Sequence, residues 1–511
     1  MKPSRRSSGE PTLPDRAKRQ LFPGWNWTSR VSRKYGLART GVWKKSQGCF
    51  VHQPCPIFAW LNAQTSGKYI RSAGGLSLSQ LHISEHDQAR DQQHQVIRIA
   101  ERTLALPYGR AMFTFGSVPT LTRESYSIPK MEFAIRIQPQ NTVLSPGEQK
   151  IPLECLYWGQ FHNGVAAGLR IAPATRSVES SWIAFNKPSE LTPEHAGFLF
   201  ALGLTGHLKE MLTWQTFAYL TPKHDLTSIG VLLGLSAANA GSGNEHVTKL
   251  LAVHAPAMLP TPDVDLNVPL LTQTAGLAGL GLLYMGTKKR HMAEVLVNEI
   301  RRKDLVQPDL TNEHREAYTL AAAFAFGMVM LGKGTSIPAD VDLVERLRVL
   351  IYGEPASTTQ GHRQPFDLNL TSPAATTALG LMYLRTNRQD IADVLAIPDA
   401  LVELHRIQPS FLLMRTVSRS LILWDSIDPT NEWISKQVPP MLNKAVTSRA
   451  EQGTGDDALE LAYFNILAGA CFAIALKYAG TAREEAYMLV IYYYDLFSRM
   501  AYTNGMNCNP T

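Results

Sequence analysis

Metal coordination is the chemistry that this sequence comes nearest to offering. Cys49, His52 and Cys55 stand close enough to present two thiolates and an imidazole to one ion. A structural zinc site is closed by four ligands, however, and no fourth is evident beside them. His82 and His86, four residues apart, would share one helix face and with it one metal, yet no acidic or histidine partner accompanies them at a diagnostic spacing. Asp263 with Asp265, and Asp340 with Asp342, are acidic pairs in Pro-bearing connections, where loop or helix-capping duty suits them. The five cysteines, Cys49, Cys55, Cys155, Cys471 and Cys508, are too few and too dispersed for a disulfide framework, and they fit a reducing compartment. The residues therefore give no catalytic, metal or cofactor site.

Such clusters need elements to hold them. The 511 residues, 45% of them hydrophobic, suffice for several domains or one extended repeat array with a sizeable core. The net charge of +7 is unevenly placed. Residues 1–45 carry 12 of the 50 Lys and Arg against Glu10 and Asp15, which leaves 38 basic and 41 acidic side chains for the remainder. The body is thus not basic, and nucleic acid is excluded as its main partner. The tail, rich in Pro, Ser and Arg, reads as disordered and solvated, with a nuclear-import signal or a nucleic-acid arm as the other readings. It lacks the apolar core of a secretory signal. The longest apolar run read from the sequence, Ala317 to Gly332, is closed by Arg315 and Lys333 and is shorter than the roughly 18 to 20 residues that span a bilayer, so no membrane segment is expected.

One pattern recurs along the chain. Ala- and Gly-dense helical segments end at Gly206, Gly241, Gly286, Gly332, Arg385, Asp425 and Gly480. Counting back from each end, position minus seven is Leu199, Gly234, Gly279, Ala325, Ala378, Ser418 and Ala473, and position minus five is Ala201, Ser236, Gly281, Gly327, Gly380, Ser420 and Ala475. Only Leu199 is large. Positions two apart on a helix point to nearly opposite sides, so each of these helices is expected to be squeezed between two neighbours. A terminal Gly takes the left-handed conformation that caps a helix, and Arg385 and Asp425 are the departures.

Apolar residues follow the stop at plus six, nine and ten in four units, as Val247, Leu250 and Leu251; Met292, Val295 and Leu296; Ile391, Val394 and Leu395; Ala486, Leu489 and Val490. That spacing marks an amphipathic second helix with one buried stripe. The unit is a small-residue inner helix plus a wet-faced outer helix, neither stable alone, in a repeat of about 35 to 45 residues with variable insertions. The fold class is mostly α: an α/α solenoid or partial toroid with two concentric helix layers. Residues 89–106 read as a helix and 131–137 as a half-buried strand, giving a mixed α/β segment over 82–160. Residues 1–81 form the atypical basic segment and 161–511 the array, incomplete at its C-terminus, with loop insertions at 354–373 and 445–458.

FHNGVAAGLRIAPA (161–174), AGFLFALGLTGHL (196–208), TSIGVLLGLSAA (227–238), GTKKRHMAEVL (286–296) and YTLAAAFAFGMVMLGKG (318–334) resemble the large proteasome/cyclosome-repeat scaffold subunits of the anaphase-promoting complex. LALPYGRAMFT (104–114) and SLILWD (420–425) extend the likeness from about His82 to near the end. The resemblance implies a non-catalytic platform in a multisubunit, nuclear E3 ubiquitin ligase that promotes degradation of mitotic regulators. Its partners would be cullin, RING, tetratricopeptide and other scaffold subunits and coactivators, and its repeats would close into a two-layered ring. The repeat positions carried over, Gly206, Gly234, Gly241, Gly279, Gly281, Gly286, Gly327, Gly332, Gly380 and Gly480, are structural. Seven units are fewer than such a ring holds, and a basic tail stands where the family has a β-propeller, so a partial gene product is expected. Three alternatives stay open: a scaffold of the proteasome regulatory particle, a protein-binding solenoid with another client, and an α/α toroid enzyme. The last would need paired carboxylates or a His cluster facing inward, whereas inner segments such as AGLAGLGLLYMG (275–286) are bare of charge.

Overall fold

Several helices in this protein begin at polar caps, and several inner helices are followed by left-handed residues. The computed structural model describes residues 125–128, 135–137, 142–144, 153–259, 266–302, 312–336, 342–354, 366–452 and 457–507. Thr192 accepts the backbone N–H of His195 and Asn244 accepts those of His246 and Val247, each satisfying donors that a helix start leaves unpaired. Asp342 does the same for Glu345, so this member of the acidic pairs is a helix cap. Its neighbour Asp340, together with Asp263, Asp265, Cys49, His52, Cys55, His82, His86 and the helix expected over 89–106, lies outside the described residues. Of the strand expected over 131–137, β1 (Ile135–Ile137) is described, and it pairs antiparallel with β2 (Thr142–Leu144), Ile135 facing Leu144.

The described residues divide into two compact units, those from 125 to 331 with 366–374, and those of 332–354 with 375–507. In the first, the small-residue helices are α1 (Leu153–Gly168), α3 (Pro193–Leu204), α5 (Asp225–Ala238), α7 (Leu270–Leu283) and α9 (Asn312–Val329), each packed on the next. Between them run α2 (Ser180–Phe185), α4 (Thr213–Leu220), α6 (Glu245–Ala252) and α8 (Arg290–Glu299). Of the stripes read from sequence, Val247 and Leu251 in α6 and Met292 and Leu296 in α8 are buried, while Leu250 and Val295 are half-buried. Tyr126 fastens its segment to this stack, donating its hydroxyl to the Ala167 carbonyl (2.9 Å) and stacking on Phe198.

The second unit holds α10 (Leu343–Tyr352), the later part of α11 (Leu368–Met382), α12 (Gln389–Val394), α13 (Leu401–Leu404) and α14 (Pro409–Ile422). After these come α15 (Asn431–Gln437), α16 (Pro440–Gln452), α17 (Asp457–Tyr478) and α18 (Glu484–Asn507). Its core is built on Leu412, Ile434, Leu442, Ile466, Leu467 and Ile474.

Three expectations change. The insertion placed at 354–373 ends earlier, because α11 starts at Leu368 and carries Pro373 inside it. The insertion placed at 445–458 is largely helical, since α16 continues to Gln452. The run that matters for membrane length is also not Ala317 to Gly332. Ala458–Tyr478, 21 residues of mean hydropathy 1.8, is long and apolar enough to cross a bilayer, and half of its apolar window is buried in the unit's own core. The sequence reading missed it because Glu460 and Asn465 interrupt the run, while the helix brings its remaining apolar residues together.

Two outcomes follow from these local arrangements. Gly286 sits at φ +70° with nothing within 4 Å of where a Cβ would be, so its requirement is one of backbone conformation alone. Gly286→Ala should lower unfolding free energy in urea by about 1 to 2 kcal/mol, and Gly286→Asn by less. His195, 5% exposed and held between the Phe198 and Tyr219 rings, has its pKa lowered to about 4 by burial and then by nearby Lys187. The folded form stays neutral while the unfolded chain takes up a proton near pH 6.5, so stability is level above that value and falls as pH drops toward 4. The loss is on the order of 3 kcal/mol. Urea midpoints of His195→Phe measured between pH 7 and 4.5 should fall less steeply than wild type; burial of His162, His207 and His254 keeps part of the slope.

Candidate functional site

The junction between successive units is where the recurring residues meet. Position minus five of one unit faces position minus seven of the next. A Cβ built on Gly281 would lie 2.4 Å from the Ala325 Cα; one on Gly380, 2.7 Å from the Ser418 Cβ; one on Gly279, 2.6 Å from the Ser236 Oγ. These separations leave no room for a side chain, and they explain why both positions are small: they are two sides of one interface. Leu199, the one large residue, is fully buried, and its carbonyl lies 3.0 Å from where a Gly234 Cβ would sit. At the first crossing, Gly164 lies against the Glu194 carbonyl and Gly197 against that of Phe161. That pair was not singled out from sequence, because it falls outside the minus-seven, minus-five frame.

A backbone ladder fixes the register. The turns closing three of the units donate two N–H groups to the last carbonyls of the next inner helix. Gly241 and Gly243 reach Leu282 and Leu283, both at 3.0 Å; Gly286 and Lys288 reach Met328 and Val329 at 2.8 and 3.1 Å; Arg385 and Asn387 reach Leu421 and Ile422, both at 2.9 Å. Gly332 makes the first of these bonds, to Leu381 at 3.0 Å. Carbonyls that a helix end leaves without partners are thereby satisfied from the neighbouring unit. Both donors in a turn have positive φ where the second is Gly243, Lys288 or Asn387, a geometry that aims alternate N–H groups in one direction.

Gly206, Gly241, Gly286, Gly332 and Gly480 all have positive φ, and so does Arg385 at +60°. Gly327 is buried within α9. Asp425 differs. Its turn is a short 3-10 segment, Trp424–Ser426, and side chains take over: Asn387 bonds the Asp425 carboxylate at 2.7 Å, and Lys477 Nζ donates to the carbonyls of Trp424, Asp425 and Ile427. Ala475 also departs, being exposed where a squeezed position was expected. Among the described residues no further inner helix follows α17 to cover it.

Sequence reading did not single out a polar network built on buried Glu299 and Tyr318 and half-buried Arg302 and Gln273. The Tyr318 hydroxyl donates to the Glu299 carboxylate, and Arg302 Nη1 donates to Tyr318 at 2.8 Å and to Gln273 Oε1 at 3.0 Å. Burial and the adjoining carboxylate push the Tyr318 phenol well above its usual range, so it holds its proton as a structural donor. Among the described residues no group of three or more His, Cys, Asp or Glu side chains is placed to hold a metal ion.

The geometry is that of repeats locked to repeats, and comparison with known proteins places it. Residues 245–510 match the family model described as the APC1 fifth domain, and residues 73–240 that of the APC1 fourth domain. The chain belongs to the anaphase-promoting complex subunit 1 family. The two matches are separated at the turn between α5 and α6. The chain is 38% identical over 455 residues to the human anaphase-promoting complex subunit 1, covering 84% of this chain and 23% of that protein. It is 38% identical over 406 residues to the subunit of Schizosaccharomyces pombe, covering 79% and 27%. To a protein of Emericella nidulans named negative regulator of mitosis it is 39% identical over 426 residues, covering 82% and 20%. The chain thus spans about a quarter of the length of these relatives.

Gly281→Leu tests the junction, because the side chain must displace the Ala325 backbone rather than a flexible tip. Overpacking of this kind costs about 3 kcal/mol or more. A denaturant midpoint unchanged from wild type would show that α7 and α9 are not in this register.

Proposed function

We propose that the chain is a non-catalytic scaffold segment of the anaphase-promoting complex, an E3 ubiquitin ligase of the cell cycle, holding other subunits in fixed relation. The observation that carries this reading is the junction itself. Inner helices meet at backbone distance, and their turns are hydrogen-bonded to the next unit, so the stack resists the sliding that would disturb bound partners. Such a stack offers outer helices and loops as attachment surface while its interior does no chemistry. Membership of the family supports placement in the complex. Cullin, RING and tetratricopeptide subunits, other scaffold subunits and coactivators are the proposed partners, and the nucleus is the proposed site of action.

Exposed apolar residues are concentrated on particular elements, as attachment surfaces require. In the first unit Leu212, Trp214 and Phe217, at the start of and along α4, are at least half exposed. In the second, Tyr487, Met488, Tyr492 and Tyr494 of α18 are similarly open.

Purification of the tagged chain from a nuclear extract under mild conditions, followed by mass spectrometry, tests the proposal. Co-recovery of a cullin, a RING protein and tetratricopeptide subunits is the expected result. Proteasome base subunits in their place would assign the chain to the other repeat scaffold, and recovery of neither would overturn assembly of this chain into the complex.

A further inference from the structure

Of the seven inner helices closed by a recurring turn residue, six are apolar or glycine at two positions, minus ten and minus six from that residue. The pairs are Ala196 and Phe200, Val231 and Leu235, Gly276 and Leu280, Ala322 and Phe326, Ala375 and Leu379, and Ala470 and Ile474. In α14 the same two positions are Arg415 and Arg419. The register is fixed independently of side-chain type, because the Arg385 and Asn387 N–H groups bond Leu421 and Ile422 just as the Gly241 and Gly286 turns bond their next helices.

Arg415 is 4% exposed. Its Nε and Nη1 are buried and make no hydrogen bond, and Nε of half-buried Arg419, one helical turn away, is in the same condition. The Arg415 guanidinium lies over the Tyr352 ring of α10, its central carbon 4.9 Å from the ring centroid. A cation over a ring leaves the in-plane N–H donors unused. A buried guanidinium normally has a carboxylate or phosphate across its fork, and a hydrophobic residue in its place is otherwise at least as stable. Other units fill this position with Ala, Val or Gly, so packing alone does not require arginine.

The geometry points to Arg415 and Arg419 as a binding site for an oxyanion carried by a protein segment, either the carboxylate of an acidic side chain or a phosphorylated residue. Arg415 and Arg419 stand four residues apart on α14, one turn along the helix, a spacing from which two planar guanidiniums can serve one anionic group. The Tyr352 ring sets the orientation of Arg415, and the Tyr352 hydroxyl is itself held by the Val394 carbonyl.

Thermal unfolding of the 511-residue chain in sodium phosphate, sodium glutarate and sodium chloride at matched ionic strength tests this site. Phosphate raises the Tm of proteins in general by exclusion from their surfaces, so the decisive quantity is the difference between wild type and the double variant Arg415→Met, Arg419→Met. Wild type should gain an additional, saturable shift of roughly 3 to 5 °C at about ten times Kd, absent from the double variant. A gain in phosphate alone assigns the site to a phosphorylated segment, and a gain in glutarate to an acidic one. Arg415→Lys keeps the charge but loses the planar fork, and should lose most of the shift; it also serves if the double variant does not fold. Equal responses of wild type and variants in both anions would overturn the site.

Discussion

The close approach of inner-helix backbones is the constraint on which the rest of the structure depends. Where Gly281 meets Ala325 and Gly380 meets Ser418, the separation is set by main-chain atoms, and there is no space into which a side chain could relax. Each helix is therefore positioned by its neighbours to within a fraction of an ångström, in the manner of close-packed interiors generally. The turn ladder adds direction to that closeness. N–H groups from one unit meet carbonyls of the next, so a helix cannot rotate or slide without leaving buried polar groups unpaired.

Because this constraint lies along the inner helices, it leaves the rest of each unit free to vary. Spacings between turn residues range from 35 to 55 residues, and the longest of them carries α15 and α16. Where a unit departs from the small-residue rule, its neighbours compensate with side chains. The Asp425 turn is held by Asn387 and by Lys477, whose ammonium takes the place of backbone donors at three carbonyls. Arg385 takes the left-handed conformation without glycine's freedom and lays its guanidinium over Trp424. Partner attachment and internal rigidity thus fall to different residues, which suits a scaffold segment.

Much of this was legible in the residues themselves, for a physical reason. Small side chains at fixed offsets, a glycine after them, and apolar residues at plus six, nine and ten are requirements imposed by helix geometry, and a sequence that meets them in several units declares its repeat. Asp342, read as a loop or cap residue, is an N-cap. Extents of connections were not: Pro373 suggested a loop where α11 had already begun, because tertiary packing overrides a proline's local preference. Ala475 looked like a squeezed position, and only the surrounding structure shows it open.

The sequence by itself determined the repeat, its inner and outer helices, the left-handed turn residues and the family resemblance, since each follows from spacing along one chain. Tertiary structure decided which position meets which. That minus five faces minus seven of the next unit, that turn amides reach Leu282 or Met328, and that Arg415 is buried without a counter-charge all depend on atoms tens of residues apart. Local periodicity specifies the face a helix buries, but only packing specifies what lies against it.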